Sequence, residues 1–422
     1  MVEPFDFNGL KSKYPLPLFL ISFLVQCSYV LEWGSFRLSI VVADLLCPYM
    51  LYYAYQYYKQ KKLPSLAIKI SILVFASFSF SLIWGIYSLG YVSTWSFYNK
   101  YLSLPILFCY AFYASCFQPA IIIKCLLKSY SILALFIIFF QTILHIHSIY
   151  AGTYGVLGFL ANPNAFGFLA LFVLIYQISV FKNKPIQKSE IFINLILIFS
   201  TQSRAVFINA GFILIFFILL KRLSWVEALK FWIYAWLSYV ILMDFIYYLK
   251  NIYYSNFSIH LLSDMGIHHQ FSTTGTVYSS DSERIRMFTE GLKAWWEAGP
   301  VAWFLGLGLG YFREKLSQGY AVKNVVIHNT GLWIWVEMGI LGFFSLLAAY
   351  GLFIKKYLWD LKKQLTNTEN KNTWLALLAC QLVFAIFSMV HEMLSQRILW
   401  LNFGMILAFY HYKRHEKNIS SI

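Results

Sequence analysis

Charge is scarce in this chain. Only 12% of its 422 residues are Asp, Glu, Lys or Arg, and 60% are hydrophobic. That balance excludes a soluble globular protein of this length, which needs more polar surface. Acidic residues are the rarer sign, 18 against 33 Lys and Arg. The resulting charge of +15 does not point to nucleic acid, because most of the basic residues sit in short loops between apolar runs. There they would orient a membrane protein. Cysteine is sparse as well. Cys27, Cys47, Cys109, Cys116, Cys125 and Cys380 lie in or beside apolar runs without paired metal-ligand spacing. They read as small core residues, and no metal site is expected. His268-His269 has no Cys or carboxylate partner in helical register, which points the same way. No Walker loop, G-x-S-x-G or H-E-x-x-H occurs, so neither nucleotide hydrolysis nor a zincin site is expected. Internal repeats, low-complexity tracts and a second soluble domain are also missing. The polar start MVEPFDFNGLKSK, with no small-residue cleavage site after the first apolar run, speaks against a cleaved signal peptide.

What the chain has is apolar runs from end to end. They predict an all-α fold, a polytopic bundle of about twelve transmembrane helices forming one membrane domain over 1–422. The expected spans are 15–33, 38–58, 66–88, 101–119, 129–147, 164–181, 191–203, 205–220, 226–248, 329–354, 374–392 and 396–412. The seventh is short, so its end should be buried in protein, where its free backbone groups find partners. One set of loops carries Lys59, Lys61 and Lys62, Lys124 and Lys128, Lys182, Lys184 and Lys188, and Lys221 with Arg222. Lys355, Lys356, Lys362, Lys363 and Lys371 continue that set, and both termini share it. The asymmetry predicts both termini in the cytoplasm.

The opposite side then holds Asn162-Pro163-Asn164, Ser203-Arg204, one large loop over 249–328, and His391-Glu392 with Arg397. The last group fits a solvated tight turn. From Glu283 the large loop turns helical, with Ile285, Phe288, Leu292, Trp295 and Trp296 on an apolar side. That pattern predicts an amphipathic helix at the membrane interface, offering Arg284, Arg286 and Lys293 to anionic groups. The stretch from Gly306 to Gly342 follows. It opens on Gly306, Gly308 and Gly310, passes through Arg313, Lys315 and Lys323, and reaches His328-Asn329-Thr330 at the mouth of an apolar helix. That helix carries Glu337, Gly339 and Gly342. Glu337 lies nine residues in, about 13 Å from His328 along the axis, too far to orient it. It is expected to be a buried, partnered structural group, and the two glycines to allow close helix packing.

These pieces, in this order, resemble the O-antigen ligase and polymerase superfamily, membrane glycosyltransferases that consume undecaprenyl-diphosphate-linked glycans. Asn162-Pro163-Asn164 looks like the family's opening of a middle helix, and Ser203-Arg204 like its Ser-Arg pair. Arg284 heads an amphipathic helix leading into the Gly306–Gly310 segment. His328 is followed after ten residues by Gly339, as in the ligases. The likeness covers about 150–345. One position departs: the ligases' Arg-x3-Leu would need Leu at 208, and Ile208 stands there.

The resemblance implies a periplasmic active site in the bacterial inner membrane, working without metal, ATP or any cofactor. An acceptor hydroxyl would attack the anomeric carbon and lipid diphosphate would leave. Arg204 and Arg284 would hold the diphosphate, because a guanidinium matches its oxygens with a planar fork of donors. His328 would position or deprotonate the acceptor. Asn329, Lys323 and Arg286 are further candidates for substrate contact. Asn162, Asn164, Gly306, Gly308, Gly310 and Gly339 would build the frame. Partners would be the lipid-linked glycan donor, a glycolipid or glycan acceptor and the bilayer. A ligase would transfer to lipid A-core; a polymerase would extend a second lipid-linked repeat. The single large loop and the His-x10-Gly spacing favour the ligase. A flippase for the same lipid-linked glycans is the reading from another class, although paired half-helix repeats are missing.

Overall fold

The structure is a computed structural model that describes residues 16–33, 36–60, 64–90, 101, 103–137, 163–181, 184–201, 203–253, 280–312, 329–360, 362, 368–391 and 393–419. Among them the fold is helical, with one short hairpin. The helices are α1 (Leu16–Leu24), α2 (Cys47–Gln60), α3 (Ser65–Leu89), α4 (Ser103–Ala114), α5 (Pro119–Phe136), α6 (Pro163–Ser179) and α7 (Pro185–Ser200). They continue with α8 (Arg204–Leu219), α9 (Trp225–Tyr253), α10 (Ser280–Glu297), α11 (Pro300–Leu305), α12 (Thr330–Ile354), α13 (Thr368–Ser388) and α14 (Arg397–Ile419). Among the described residues, four stretches are long and apolar enough to cross a membrane: Ser65–Ser88, Pro119–Phe136, Thr330–Trp359 and Asn370–Ser388. The chain is therefore a helical, membrane-embedded protein.

Three expected runs differ. The runs 15–33 and 38–58 are not continuous helices: Ser28–Trp33 (β1) and Phe36–Val41 (β2) pair as a hairpin between α1 and α2. The reason lies in β-branched and aromatic residues on both sides of Gly34-Ser35, a pattern that an averaged hydropathy window blends away. The run expected at 129–147 begins earlier, because Pro119 fits the first turn of α5. Lys124 and Lys128 thus sit on an exposed side of α5, four residues apart, rather than in a loop.

The chain forms two compact units. The first gathers α1 and α5 to α9. At its centre α6 is buried throughout, Ala165 to Ser179, as a helix apolar on every side must be. Polar side chains join its neighbours. Tyr130 donates to Asn194 Oδ1 at 2.7 Å, and Asn194 Nδ2 donates to Gln177 Oε1 and to the Ala170 carbonyl at 3.0 Å each. In a lipid-embedded bundle such interhelical bonds replace the hydrophobic drive that water would supply. The end of α7 is buried at Ser200 and Thr201, both 2% exposed.

The second unit gathers α2 to α4 and α10 to α14. Gly404 of α14 lets the helix press onto α4: a Cβ there would lie 2.3 Å from the Ala111 carbonyl oxygen. Tyr350 donates to Gln381 Oε1 at 3.1 Å, and Gln381 Nε2 donates to Asn402, tying α12, α13 and α14 together.

Candidate functional site

In the first unit, two of the expected motif pieces meet. Ser203 caps α8: its Oγ accepts the Val206 N–H at 3.4 Å, and its own N–H donates to Thr201 Oγ1 at 3.3 Å. That capping stops the chain after α7 and restarts it as α8 with Arg204 exposed in the first turn. Against it lies α6, whose first turns carry Asn164 and Gly167. An added Cβ at Gly167 would sit 2.3 Å from Val206 Cγ2. The contact falls at the fifth residue of α6 and the third of α8, so the two helices start side by side. Asn164 and Arg204 share one end of this unit. Ile208, the position that departs from the ligase pattern, is 69% exposed.

In the second unit, the glycine-rich segment and α12 interlock. α12 is not one helix. It breaks at Gly339, where φ is 66° and ψ −174°, a region essentially reserved for glycine. Into the break runs the backbone of 304–310. Leu307 N–H donates to the Val336 carbonyl at 2.8 Å and Gly308 N–H to the Glu337 carbonyl at 3.0 Å. A Cβ on Gly306 would lie 2.4 Å from the Glu337 carbonyl, and one on Gly308 2.3 Å from Gly85 Cα. Only bare backbone fits.

α3 closes the other side through a stripe that the sequence reading passed over. Ser81, Trp84, Gly85 and Ser88 recur at i, i+3, i+4 and i+7, one face of the helix. Ser81 accepts the Leu309 N–H on its carbonyl at 3.2 Å and donates its Oγ to the Glu337 carbonyl at 3.1 Å. Trp84 Nε1 donates to the Gly306 carbonyl at 2.9 Å and Ser88 Oγ to the Leu307 carbonyl at 3.2 Å. Small and hydrogen-bonding residues recurring in helical register were the available signal.

Glu337 completes the junction. It is 1% exposed. Its Oε2 accepts the Trp333 indole N–H at 2.6 Å and its Oε1 accepts the Phe312 N–H at 3.2 Å. The amides of Gly306, Leu307, Gly308, Leu309, Tyr311 and Phe312 all donate within the protein. This glycine-rich loop is thus no phosphate cradle, which needs free N–H groups. It is a backbone plug in a broken helix.

The mouth of α12 is fastened as well. Asn329 caps the helix, its Oδ1 accepting the Leu332 N–H at 2.7 Å, and its Nδ2 donates to the Met389 carbonyl at 2.6 Å. Thr330 Oγ1 donates to the His391 carbonyl at 2.7 Å and accepts the Met393 N–H at 3.1 Å. The turn between α13 and α14 therefore belongs to this mouth. His391, expected on a solvated turn, is buried and stacks on Phe387 at 5.0 Å.

Around it, α10 has three sides. Met287 and Trp295 are buried, Trp295 lying 5.5 Å from Trp335 of α12. Ile285, Phe288 and Trp296 are exposed apolar groups. Arg286 pairs with Glu290 at 2.6 Å on a charged side. Trp296 stacks on Trp303 with ring centroids 4.7 Å apart. Arg284 lies within α10. Asn162, Arg313, Lys315, Lys323 and His328 lie outside the described residues. Among the described residues no group of His, Cys, Asp or Glu could hold a metal ion.

No protein-family model matches this chain, and no curated protein matches it.

Proposed function

We propose that the chain is a membrane glycosyltransferase of the O-antigen ligase or polymerase type. It moves a glycan from undecaprenyl diphosphate to an acceptor hydroxyl, with lipid A-core as the favoured acceptor. The chain lies in the bacterial inner membrane with both termini in the cytoplasm, and the reaction takes place on the periplasmic face. Arg204 and Arg284 hold the diphosphate as negative charge develops on the leaving group. His328 takes the acceptor's proton. The diphosphate ester supplies the driving force, so the transfer uses neither ATP nor metal.

The observation that carries this reading is the anchoring around 313–328. At one end, Phe312 is bound to Glu337 of α12. At the other, Asn329 caps the same helix and grips the turn after α13. Phe312 and Asn329, which flank Arg313, Lys315, Lys323 and His328 in the sequence, are thus both fixed to one helix. Catalysis by positioning asks for rigid structure beside the reactive groups. The placement of Asn164 and Ser203-Arg204 at adjoining helix starts in the first unit supports the same reading.

The test is purified protein in mild detergent, given undecaprenyl-diphosphate-linked glycan and acceptor. Release of undecaprenyl diphosphate is expected from wild type. His328→Ala should transfer about 10²–10⁴ times more slowly while still binding donor. Donor binding without any release in the wild type would refute the enzyme and leave a carrier of lipid-linked glycans.

A further inference from the structure

The first half of α12 lies deep. Trp333, the fourth residue of α12, packs on Phe78 of α3 with ring centroids 6.1 Å apart. Phe78 is thirteen residues from Ser65 and eleven from Leu89, about 20 Å and about 16 Å along the axis. Trp333 thus meets the middle of a helix long and apolar enough to cross the membrane. Four residues on, the Glu337 carbonyl accepts Ser81 Oγ at 3.1 Å, still well inside α3. α12 then bends back on itself. A Cβ on Gly331 would lie 3.8 Å from Phe343 Cε2, although twelve residues span about 18 Å in a straight helix. Asn329 and Thr330, at the start of this half-helix, therefore sit within the thickness of the bilayer.

α14 leads to the same level by a separate route. From Arg397 the next charged residue along the helix is Lys413, sixteen residues or about 24 Å away. A hydrocarbon core is about 30 Å thick. With Lys413 at one surface, Arg397 stops short of the other. The turn before α14 is bonded to Asn329 and Thr330 through the Met389 and His391 carbonyls, so the two routes meet. Arg397 is half-buried there, and its Nη1 donates to the Ser395 carbonyl at 2.8 Å.

Lipid does not tolerate a charged side chain and a non-helical turn at such depth; protein and water do. We propose that a water-filled crevice runs from the face opposite Lys413 down to this turn, and that Arg397 at its floor binds a phosphate oxygen of the lipid-linked donor. The guanidinium fork suits phosphate oxygens. The depth suits an anion carried on a lipid tail, since a free anion would be met at the surface. The crevice does not rest on the glycosyltransferase reading; the identity of its ligand does.

Three measurements test the site. In the first, Ser395→Cys and Phe80→Cys, in vesicles open to both sides, meet a charged methanethiosulfonate that does not enter lipid. Ser395 lies two residues before Arg397, and Phe80 is exposed on α3 beside Phe78. Wild type gives the background, since its cysteines are buried apart from the half-buried Cys27. Ser395→Cys should react and Phe80→Cys should not. Equal behaviour of the two, reacting or not, overturns the crevice. In the second, undecaprenyl diphosphate should protect Ser395→Cys from the reagent, and undecaprenol, which lacks the phosphates, should not. Protection by both or by neither overturns the ligand. In the third, undecaprenyl diphosphate is titrated into purified wild type, Arg397→Lys and Arg397→Gln. Affinity should fall about tenfold or more in Arg397→Gln and less in Arg397→Lys. Unchanged affinity in Arg397→Gln removes Arg397 from the site. The protection experiment changes nothing at Arg397 and decides alone if those variants do not fold. Release of undecaprenyl diphosphate in the transfer assay judges the glycosyltransferase reading separately.

Discussion

Replacing Gly339 with alanine probes the junction on which the second unit turns. The new Cβ would lie 2.3 Å from Gly306 N, 2.4 Å from the Phe304 carbonyl oxygen and 2.6 Å from the Phe304 carbonyl carbon. Contacts that short do not occur in real packing, and all three atoms are backbone, so no side chain can swing aside. The conformation adds a second penalty, because φ 66° with ψ −174° excludes a Cβ. Strain of that kind costs of order 1–3 kcal/mol and overpacking about 1–3 more, so Gly339→Ala should lose about 2–6 kcal/mol. Gly351→Ala is the control. It lies in the same helix with nothing within 4 Å of an added Cβ. It should be neutral, or gain up to about 1 kcal/mol from helix propensity. Thermal unfolding of both variants in one detergent, followed by intrinsic tryptophan fluorescence, compares them. A Gly339→Ala melting curve that overlays wild type would refute the backbone plug, and α12 would then have to be continuous.

Glu337→Ala strands the Phe312 N–H and the Trp333 indole N–H, at about 1–3 kcal/mol each, and Glu337→Gln should lose less because its amide oxygen still accepts; the same melts check this. Thr330→Val removes both bonds to the α13–α14 turn while keeping the side chain's shape, so it should melt earlier, and Thr330→Ser should restore most of the loss. Arg204→Lys and Arg284→Lys should each lose most glycan transfer at equal protein abundance, since bidentate diphosphate contact needs guanidinium geometry, whereas Arg286→Lys should be milder. Normal transfer by the first two would remove the diphosphate clamp.

The sequence was informative where the signal was local. Apolar runs located most helices, because burial or lipid contact demands them residue by residue. The glycines at 306, 308, 310 and 339 stood out as one stretch, but residue type suggested close packing only for Gly339 and Gly342. The actual partners could not be read. The pairing of Leu307 with Val336 and of Leu309 with Ser81 is set by tertiary packing, and no spacing rule encodes it. The buried link from Tyr130 to Asn194 and Gln177 was hidden for the same reason. His391 looked like a solvated turn residue because its burial comes from Thr330 and Phe387, far and near in the chain. The hairpin at Ser28–Val41 was legible in principle, from Gly34-Ser35 between β-formers, but hydropathy alone masked it.

The break in α12 has a consequence for how the protein assembles. In a continuous helix the carbonyls of Val336 and Glu337 would receive the amides four residues on. At the break they take their hydrogens from Leu307, Gly308 and Ser81 instead. Remove the loop, and the Glu337 carbonyl keeps only Ser81 while the Val336 carbonyl is left bare, in a medium where an unsatisfied group costs several kcal/mol. Remove the break, and the loop's amides lose their acceptors. Neither half is a stable intermediate by itself. α3, the 306–312 segment and α12 should therefore acquire protection from hydrogen exchange together, as one cooperative block, even though more than two hundred residues separate Ser81 from Glu337.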